Sequence, residues 1–211
     1  MKTIIFICAM LTAYAANARP VSYPTGWTAM QLNDAESNSL HIHYSPTAKY
    51  SVGYKAEYMR DEEWQFHGAQ LNNLVKRINK PASQANFYLK SGVGIAHSDY
   101  GNFSGKKELA AFTGIALDWE DRRYFTSYEN RAFYAGDIDK SFAQKARVGI
   151  APYIGDYGDL HTWLMLQADH TPKNADKLSL TPMVRMFKGP YLGEFGVSNK
   201  GKILFNLIAR F

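Results

Sequence analysis

Apolar and polar residues alternate along most of this chain with a period of two. The clearest run extends from Tyr50 to Tyr58, where each aromatic or aliphatic residue is followed by a small or charged one. The chain ends in the same way, with an apolar residue at every second position from Ile203 to Phe211. A period of two is typical of a β-strand that has one apolar face. The pattern therefore predicts strands, not helices.

About twelve segments of this kind follow residue 20, and they are separated by turn residues. Their apolar positions begin with a weak stretch from Trp27 to Leu32 and continue as Leu40 to Tyr44, Tyr50 to Tyr58, Trp64 and Phe66, Phe87 to Ile95, Thr113 to Trp119, Tyr124 to Tyr134, Ala146 to Ile150, Leu160 to Gln167, Leu178 to Met186, Phe195 and Val197, and Ile203 to Phe211. No linker, repeat or low-complexity tract interrupts this series. We expect a single all-β domain over residues 19–211.

The first 18 residues have the features of an export signal. Lys2 precedes an apolar run from Ile4 to Leu11, and small residues follow up to Ala18, where a cleavage site fits. Cleavage after Ala15 is an alternative. The run is shorter than the roughly 20 residues that span a bilayer as a helix. Removal of this segment would remove Cys8, the one cysteine, and with it disulfide, thiol and cysteine–metal chemistry.

The composition fits a strand-rich protein whose strands are polar on one face. The chain has 14 Tyr, 12 Phe and 16 Gly, and its mean hydropathy is −0.33. A transmembrane barrel reconciles negative hydropathy with membrane insertion, because half of each strand can be polar. The net charge of +5 is modest, and the cations are spread over many segments. This distribution argues against nucleic-acid binding, which favours clustered Lys and Arg.

The closing segment carries a resemblance to a known class. Its alternating residues Ile203, Phe205, Leu207 and Ala209, with a terminal Phe211, resemble the C-terminal signature of Gram-negative outer-membrane β-barrels. The resemblance covers about ten residues. It implies an antiparallel up-and-down transmembrane β-barrel in the outer membrane, a surrounding of outer-membrane lipid, and recognition by the barrel assembly machinery. We expect a monomer.

A barrel of twelve strands places both termini on the periplasmic side and makes the connections alternate between the two sides. The longest connection, residues 98–107, then lies outside, as the topology of such barrels expects. Two features do not fit this scheme. The connection from Lys76 to Gln84 is long although it is assigned to the periplasm, and Asn130 is assigned to the lipid face, where a β-bulge could redirect it.

The same alternation assigns a set of charged residues to the interior. A ring of charges can select solutes in a pore, or opposite charges can pair across a narrow lumen and close it. Cations outnumber anions in this set, so conduction would favour anions. The predicted lumen-lining residues are Lys55, Glu57, Lys90, Asp118, Glu129, Arg131, Lys145, Arg147, Arg185 and Glu194.

Histidines offer a second candidate chemistry. His41 and His43 share a strand face, and His67 and His161 could lie on the same side of the wall. Imidazoles gathered in a lumen can bind Zn²⁺ or Cu²⁺. No carboxylate stands at an obvious ligand spacing, so these four residues are weak metal candidates, and no cofactor is expected.

Two further patterns could indicate catalysis. His43 and Ser45 have the His-x-Ser spacing of outer-membrane phospholipases and lipid A deacylases, in which a base activates the serine. In those families an Asn follows the Ser, whereas Pro46 follows here. The acidic groups around Asp118 and Asp137 resemble carboxylate sites, but turns favour Asp for backbone reasons.

These observations favour a narrow solute channel or a barrel with a structural or interaction role, and they leave enzymatic activity open with a lean against it. An outer-leaflet lipid hydrolase, a metal-handling barrel and a soluble periplasmic lipocalin-like binding barrel remain alternatives. The last would need the apolar faces turned inward.

Overall fold

The protein forms a closed barrel of twelve antiparallel strands, which confirms the predicted fold class and strand number. The computed structural model describes residues 20–156, 158–174 and 177–211, so the predicted export signal lies outside the described residues. The strands are β1 Gly26–Asn33, β2 Ser37–Thr47, β3 Tyr50–Met59, β4 Trp64–Asn79, β5 Ser83–Ser98, β6 Lys107–Asp121, β7 Tyr124–Ala135, β8 Asp139–Ile150, β9 His161–His170, β10 Leu178–Lys188, β11 Tyr191–Val197 and β12 Ile203–Arg210.

Each strand pairs with its neighbours in sequence, and β1 pairs with β12 to close the wall. At the seam, the Trp27 N–H donates to the Phe211 carbonyl at 2.6 Å, and the Phe211 N–H donates to the Trp27 carbonyl at 3.1 Å. One short 3₁₀ turn, Gly101–Phe103, lies between β5 and β6. Among the described residues, no helix has the length and apolar character needed to cross a membrane.

The outer surface of the wall is apolar. Val52, Leu89 and Phe205 are each more than two-fifths exposed, although large apolar side chains are usually buried in a soluble domain. Tyr50 and Tyr58 are exposed at the two ends of β3, as expected for residues of aromatic girdles. The predicted direction of the apolar faces is thus correct for most strands. The chain therefore does not form a lipocalin-like barrel, in which the apolar faces would point inward.

One strand has its faces the other way round from the prediction. Trp64 and Phe66, which the alternation assigned to the lipid side, are 1% and 0% exposed and lie inside the barrel. Gln65 and His67 therefore point outward. The short apolar stretch gave the period but not the direction, because Trp64 and Phe66 pack into an apolar cluster inside the barrel.

The two features that did not fit the predicted topology have local explanations. β4 and β5 are each 16 residues long, so the turn between them shortens to residues 80–82, and the register shifts between Leu74 and Lys76. The Asn130 side chain bonds to the backbone between β6 and β7. Its Oδ1 accepts the Ile115 backbone N–H at 3.1 Å, which satisfies the amide without a register shift. A Cβ at Gly114 would lie 1.9 Å from the Asn130 carbonyl oxygen, so this close approach requires glycine.

The interior has apolar groups near both ends. We call the end that carries residues 20–25 and Phe211 the terminus end, and the opposite one the loop end. Trp64, Phe66, Phe112 and Phe133 pack near the loop end beneath β4–β7, with Trp64 and Phe133 stacked at 4.8 Å between ring centroids. A second cluster lines β7–β12 and the terminus end, and its members are Phe125, Ala151, Trp163, Met165, Met183, Phe187, Leu192, Leu204 and Ile208.

Exchange of an outward apolar residue for arginine tests this orientation. Leu89 lies at the middle of β5 and is 41% exposed. We expect Leu89→Arg to destabilise the inserted barrel by about 2–4 kcal/mol, because the charge would be placed near the bilayer midplane. The measurement is the free energy of unfolding from lipid vesicles in denaturant.

The matched control is Leu178→Arg, the same exchange at the first residue of β10, which lies at the rim. It should cost no more than about 1 kcal/mol. Equal effects of the two substitutions would contradict the assignment of Leu89 to the lipid face.

Candidate functional site

A cavity of about 310 Å³ lies in the lumen of the barrel. Every residue of the predicted lumen set borders it. These residues are Lys55, Glu57, Lys90, Asp118, Glu129, Arg131, Lys145, Arg147, Arg185 and Glu194.

The cavity is more acidic than the sequence suggested. The structure adds five carboxylates to its lining, so that nine acidic side chains face six basic ones among the described residues. The expected preference for anions came from the smaller set, and the full lining reverses that balance. The added residues are Asp34, Glu36, Glu62, Glu120 and Asp169.

The first group of charges joins β3, β5 and β7. Arg131 Nη1 donates to both carboxylate oxygens of Glu57 at 2.8 and 2.7 Å, and Lys55 Nζ lies 3.3 Å from the same carboxylate. Lys90 Nζ donates to Glu129 Oε1 at 2.7 Å. Since β3 and β7 are not neighbours in the sheet, the Arg131–Glu57 pair bridges the lumen and does not run along the wall.

A second group is centred on Lys145 of β8. Its Nζ lies 3.3 Å from Asp34 Oδ2 and 3.6 Å from Asp169 Oδ1. Asp34 belongs to the turn between β1 and β2, four intervening strands away from β8 around the closed wall. The lysine thus spans the lumen and narrows the passage at this level.

Glu194 of β11 organises the third group. Its carboxylate accepts from Arg185 Nε at 2.7 Å, from Arg147 Nη1 at 3.3 Å and from Asn206 Nδ2 at 2.7 Å. The Arg185 guanidinium also lies over the Phe125 ring, 4.6 Å from its centroid. A carboxylate with this many donors is fixed in place, so this group forms a rigid part of the wall.

The loop end of the cavity holds a pair of carboxylates with opposite pKa shifts. Burial would raise the pKa of Asp34, but nearby Lys145 and the backbone N–H groups of Ser37 and Glu36 hold it below its usual value. Burial raises the pKa of Glu36, and the carboxylates of Asp34 and Asp169 raise it further. As the pH falls, Glu36 is therefore protonated before Asp34, and Asp34 keeps its negative charge to a lower pH.

Contacts between connections cross the same entrance. Asn174 Nδ2 and Thr171 Oγ1 donate to Glu36 at 2.7 and 3.3 Å. Lys173 pairs with Glu62 at 3.0 Å and also with Asp139, so it links opposite sides of the barrel. These polar contacts lie at the loop end beside the aromatic cluster of β4–β7.

The histidines do not come together. His41 and His43 lie on the inner wall, and His161 stacks on Phe187 at 4.6 Å between ring centroids. His67 lies on the outer face, contrary to the prediction, where its Nδ1 is 2.5 Å from the Tyr54 hydroxyl. The described residues contain no group of three or more His, Cys, Asp or Glu that could hold a metal ion.

The His43 and Ser45 pair is engaged in structural contacts. Ser45 is fully buried, and its Oγ accepts the Ser22 backbone N–H at 3.0 Å. His43 is buried and borders the cavity. Ser45 holds the segment before β1, and neither side chain faces lipid. The geometry gives a lipid hydrolase no support at this pair.

The carboxylates of the two acidic turns bind backbone N–H groups or pair with a lysine at the rim. Asp121 Oδ1 accepts the N–H groups of Arg123 and Tyr124 at 2.6 and 2.5 Å, which caps the turn between β6 and β7. Asp137 pairs with Lys106 at 2.5 Å, and this pairing lowers the pKa of the Asp137 carboxyl. Neither turn forms a carboxylate site.

Comparisons with known proteins found matches among solved structures. No protein-family model and no curated protein matches the chain. Among solved structures, the KdgM porin in complex with disordered oligogalacturonate matches with a TM-score of 0.50 and 8% identity, over 88% of this chain and 98% of that one. Omp33, an outer-membrane protein of Acinetobacter baumannii, matches with a TM-score of 0.40 and 10% identity, over 92% of this chain and 99% of that one.

The likeness to KdgM shows a shared fold. Together with the closed wall and the apolar exterior, it defines a transmembrane β-barrel of the outer-membrane type. Such a barrel surrounds its cavity with a single layer of strands, so the side chains described above line the cavity.

Removal of one partner from the lumen-bridging group tests its contribution to stability. The Glu57 side chain is 6% exposed and contacts both Arg131 and Lys55. We expect Glu57→Gln to lower the unfolding free energy by about 3–5 kcal/mol, because two buried cations would lose their carboxylate. Denaturant titration in detergent micelles measures this change.

Asp61→Asn provides the comparison, since Asp61 pairs with Lys202 at the exposed loop end. An exposed pair contributes about 0–1 kcal/mol. If both substitutions have the same small effect, the bridge across the lumen does not hold the barrel together.

Proposed function

We propose that this protein is a narrow outer-membrane channel for small solutes with a preference for cations. The observation that carries the proposal is the charged cavity of about 310 Å³ inside a closed membrane barrel. Its loop end faces the cell exterior and its terminus end the periplasm. The chain works as a monomer that is exported with a cleaved leader and inserted by the barrel assembly machinery, which reads residues 203–211.

The size of the passage follows from the bridges across it. Twelve strands enclose a lumen between that of packed eight-stranded barrels and that of wide porins. Here the pairs Arg131–Glu57 and Lys145–Asp34 subdivide that space. Water, monovalent ions and solutes of a few heavy atoms fit such a passage, whereas long chains do not.

The preference for cations follows from the carboxylates around Lys145. Asp34 and Asp169 both lie within 4 Å of its Nζ, and Glu36 is close enough for both carboxylates to raise its pKa. Each of the six basic residues that line the cavity also has a carboxylate within 4 Å. An acidic saccharide such as the oligogalacturonate bound to KdgM would therefore meet no unpaired cation among the described residues of the lining. We therefore do not extend that ligand to this chain.

A sealed barrel with a structural role is the second candidate. The apolar clusters at the two ends favour it, because they reduce the open cross-section. The two functions differ in one observable, which is the passage of ions through the purified protein.

Reversal potentials in planar bilayers under a salt gradient test the proposal. The wild-type protein should conduct in small steps and favour K⁺ over Cl⁻. The double substitution Asp34→Asn with Asp169→Asn would leave Lys145 without a carboxylate partner. It should shift the reversal potential towards that of chloride, since the charge at the constriction changes sign.

Asp156→Asn is the control, because Asp156 lies in the connection between β8 and β9, outside the cavity lining, and its side chain is 95% exposed. It should leave the reversal potential unchanged. Absence of conductance in the wild type and in all of these variants would favour the sealed barrel.

A further inference from the structure

The residues immediately before β1 lie inside the barrel. We call residues 20–22 the N-terminal strap. Val21 is 2% exposed and packs with Tyr88 and Ala116, with Leu74 against them. These partners belong to β4, β5 and β6, so the strap enters the terminus end beneath that side of the wall.

Polar contacts hold the strap on its other side. The Ser51 hydroxyl donates to the Pro20 carbonyl at 2.6 Å. The Ser22 N–H donates to Ser45 Oγ at 3.0 Å. The inward positions of β2 and β3 therefore provide a socket of two hydroxyl groups that bind the backbone of the strap.

The strap lies where it would obstruct a solute. Pro20 borders the cavity, so the strap contributes to the cavity surface at the terminus end. Across the mouth, the cluster that contains Phe125, Trp163 and Phe187 covers the wall of β7–β12. The strap and this cluster together occupy both sides of the terminus mouth.

The strap is not part of the sheet. The pairings of β1 with β2 and β12 begin at Gly26 and Thr28, after the strap. A turn connects the two, in which the Gly26 N–H donates to the Tyr23 carbonyl at 3.1 Å. The strap could thus leave its socket while every hydrogen bond of the barrel wall stays in place.

We propose that the N-terminal strap is a gate of the terminus mouth, and that solutes pass when it leaves the socket of Ser45 and Ser51. This inference rests on the proposed channel function. It assigns Ser45 a positioning role for the strap. It also explains why a segment outside the sheet contains a buried valine.

A charge on the strap provides the first test. Val21→Asp places a carboxylate in the apolar notch beside Tyr88, and this burial is unfavourable. In planar bilayers we expect a severalfold longer open time than in the wild type. Tyr23→Asp is the matched control, because Tyr23 is 55% exposed and lies after the strap. Equal open times for Val21→Asp and the wild type would overturn the gate.

A reversible bridge provides the second test. In the double variant Ser22→Cys with Ser45→Cys, the introduced thiols belong to two residues that are joined in the wild type by the 3.0 Å hydrogen bond from the Ser22 backbone N–H to Ser45 Oγ. Oxidation should hold the channel shut, and a reductant should restore opening. Each single variant should not respond to the reductant. Failure of the bridge to form, as shown by free-thiol labelling, would contradict the position of the strap.

These results separate the two proposals. A wild-type protein that conducts and responds neither to Val21→Asp nor to the bridge would refute the gate and leave the channel intact. Absence of conductance in the wild type, in Val21→Asp and in the reduced double variant would refute the channel itself.

Discussion

The structure depends on the pairing of β1 with β12. A bilayer core offers no hydrogen-bond partners, so every backbone N–H and C=O in it must be satisfied within the protein. A sheet meets this requirement only if it has no free edge. The hydrogen bonds between Trp27 and Phe211 lie at this seam and complete the ring of twelve strands. The terminal residue is therefore part of the wall, which is consistent with the alternation that continues to the end of the chain.

Closure of the barrel also explains why the fold could be predicted from the sequence. Once the wall is closed, each strand has one face towards lipid and one towards the lumen, and a period of two gives both faces of a strand such as β3. The predicted direction is wrong where the lumen side of a strand is itself apolar. In β4, Trp64 and His67 were assigned to the wrong sides, because the aromatic cluster under this wall is itself apolar. The alternation also did not predict the full length of β4 and β5, because a bulge near Leu74 interrupts it.

The arrangement of side chains in the lumen was harder to predict from the sequence. Residues on clear strands, such as Lys55 and Arg147, could be assigned to the lumen by alternation, and they border the cavity. Asp169 could also have been found by continuing the inward series Trp163, Met165 and Gln167. Asp34 and Glu36 could not, because they lie in a turn after a weak strand, and their inward position depends on Lys145 from across the lumen. Contacts of this kind, like the insertion of Val21, arise from closure and leave no periodic signal.

The lumen that results is polar at its middle and apolar at parts of both ends. Ion pairs in the middle hold the wall and define a small acidic space, and the strap of residues 20–22 covers one exit from it. Stability and selectivity thus depend on the same side chains, so a change in one of them affects both. The outer surface has a simpler role, because it needs only to match hydrocarbon.

Amide hydrogen exchange of β1 and β12 in lipid vesicles tests the closed wall most directly. The account predicts that the amides of Ala29 to Leu32 and of Phe205 to Ile208 exchange as slowly as those at the centres of β5 and β6, because all of them would lie within one continuous sheet. Rapid exchange confined to β1 and β12 would reveal a free edge and would contradict the barrel on which every other conclusion rests.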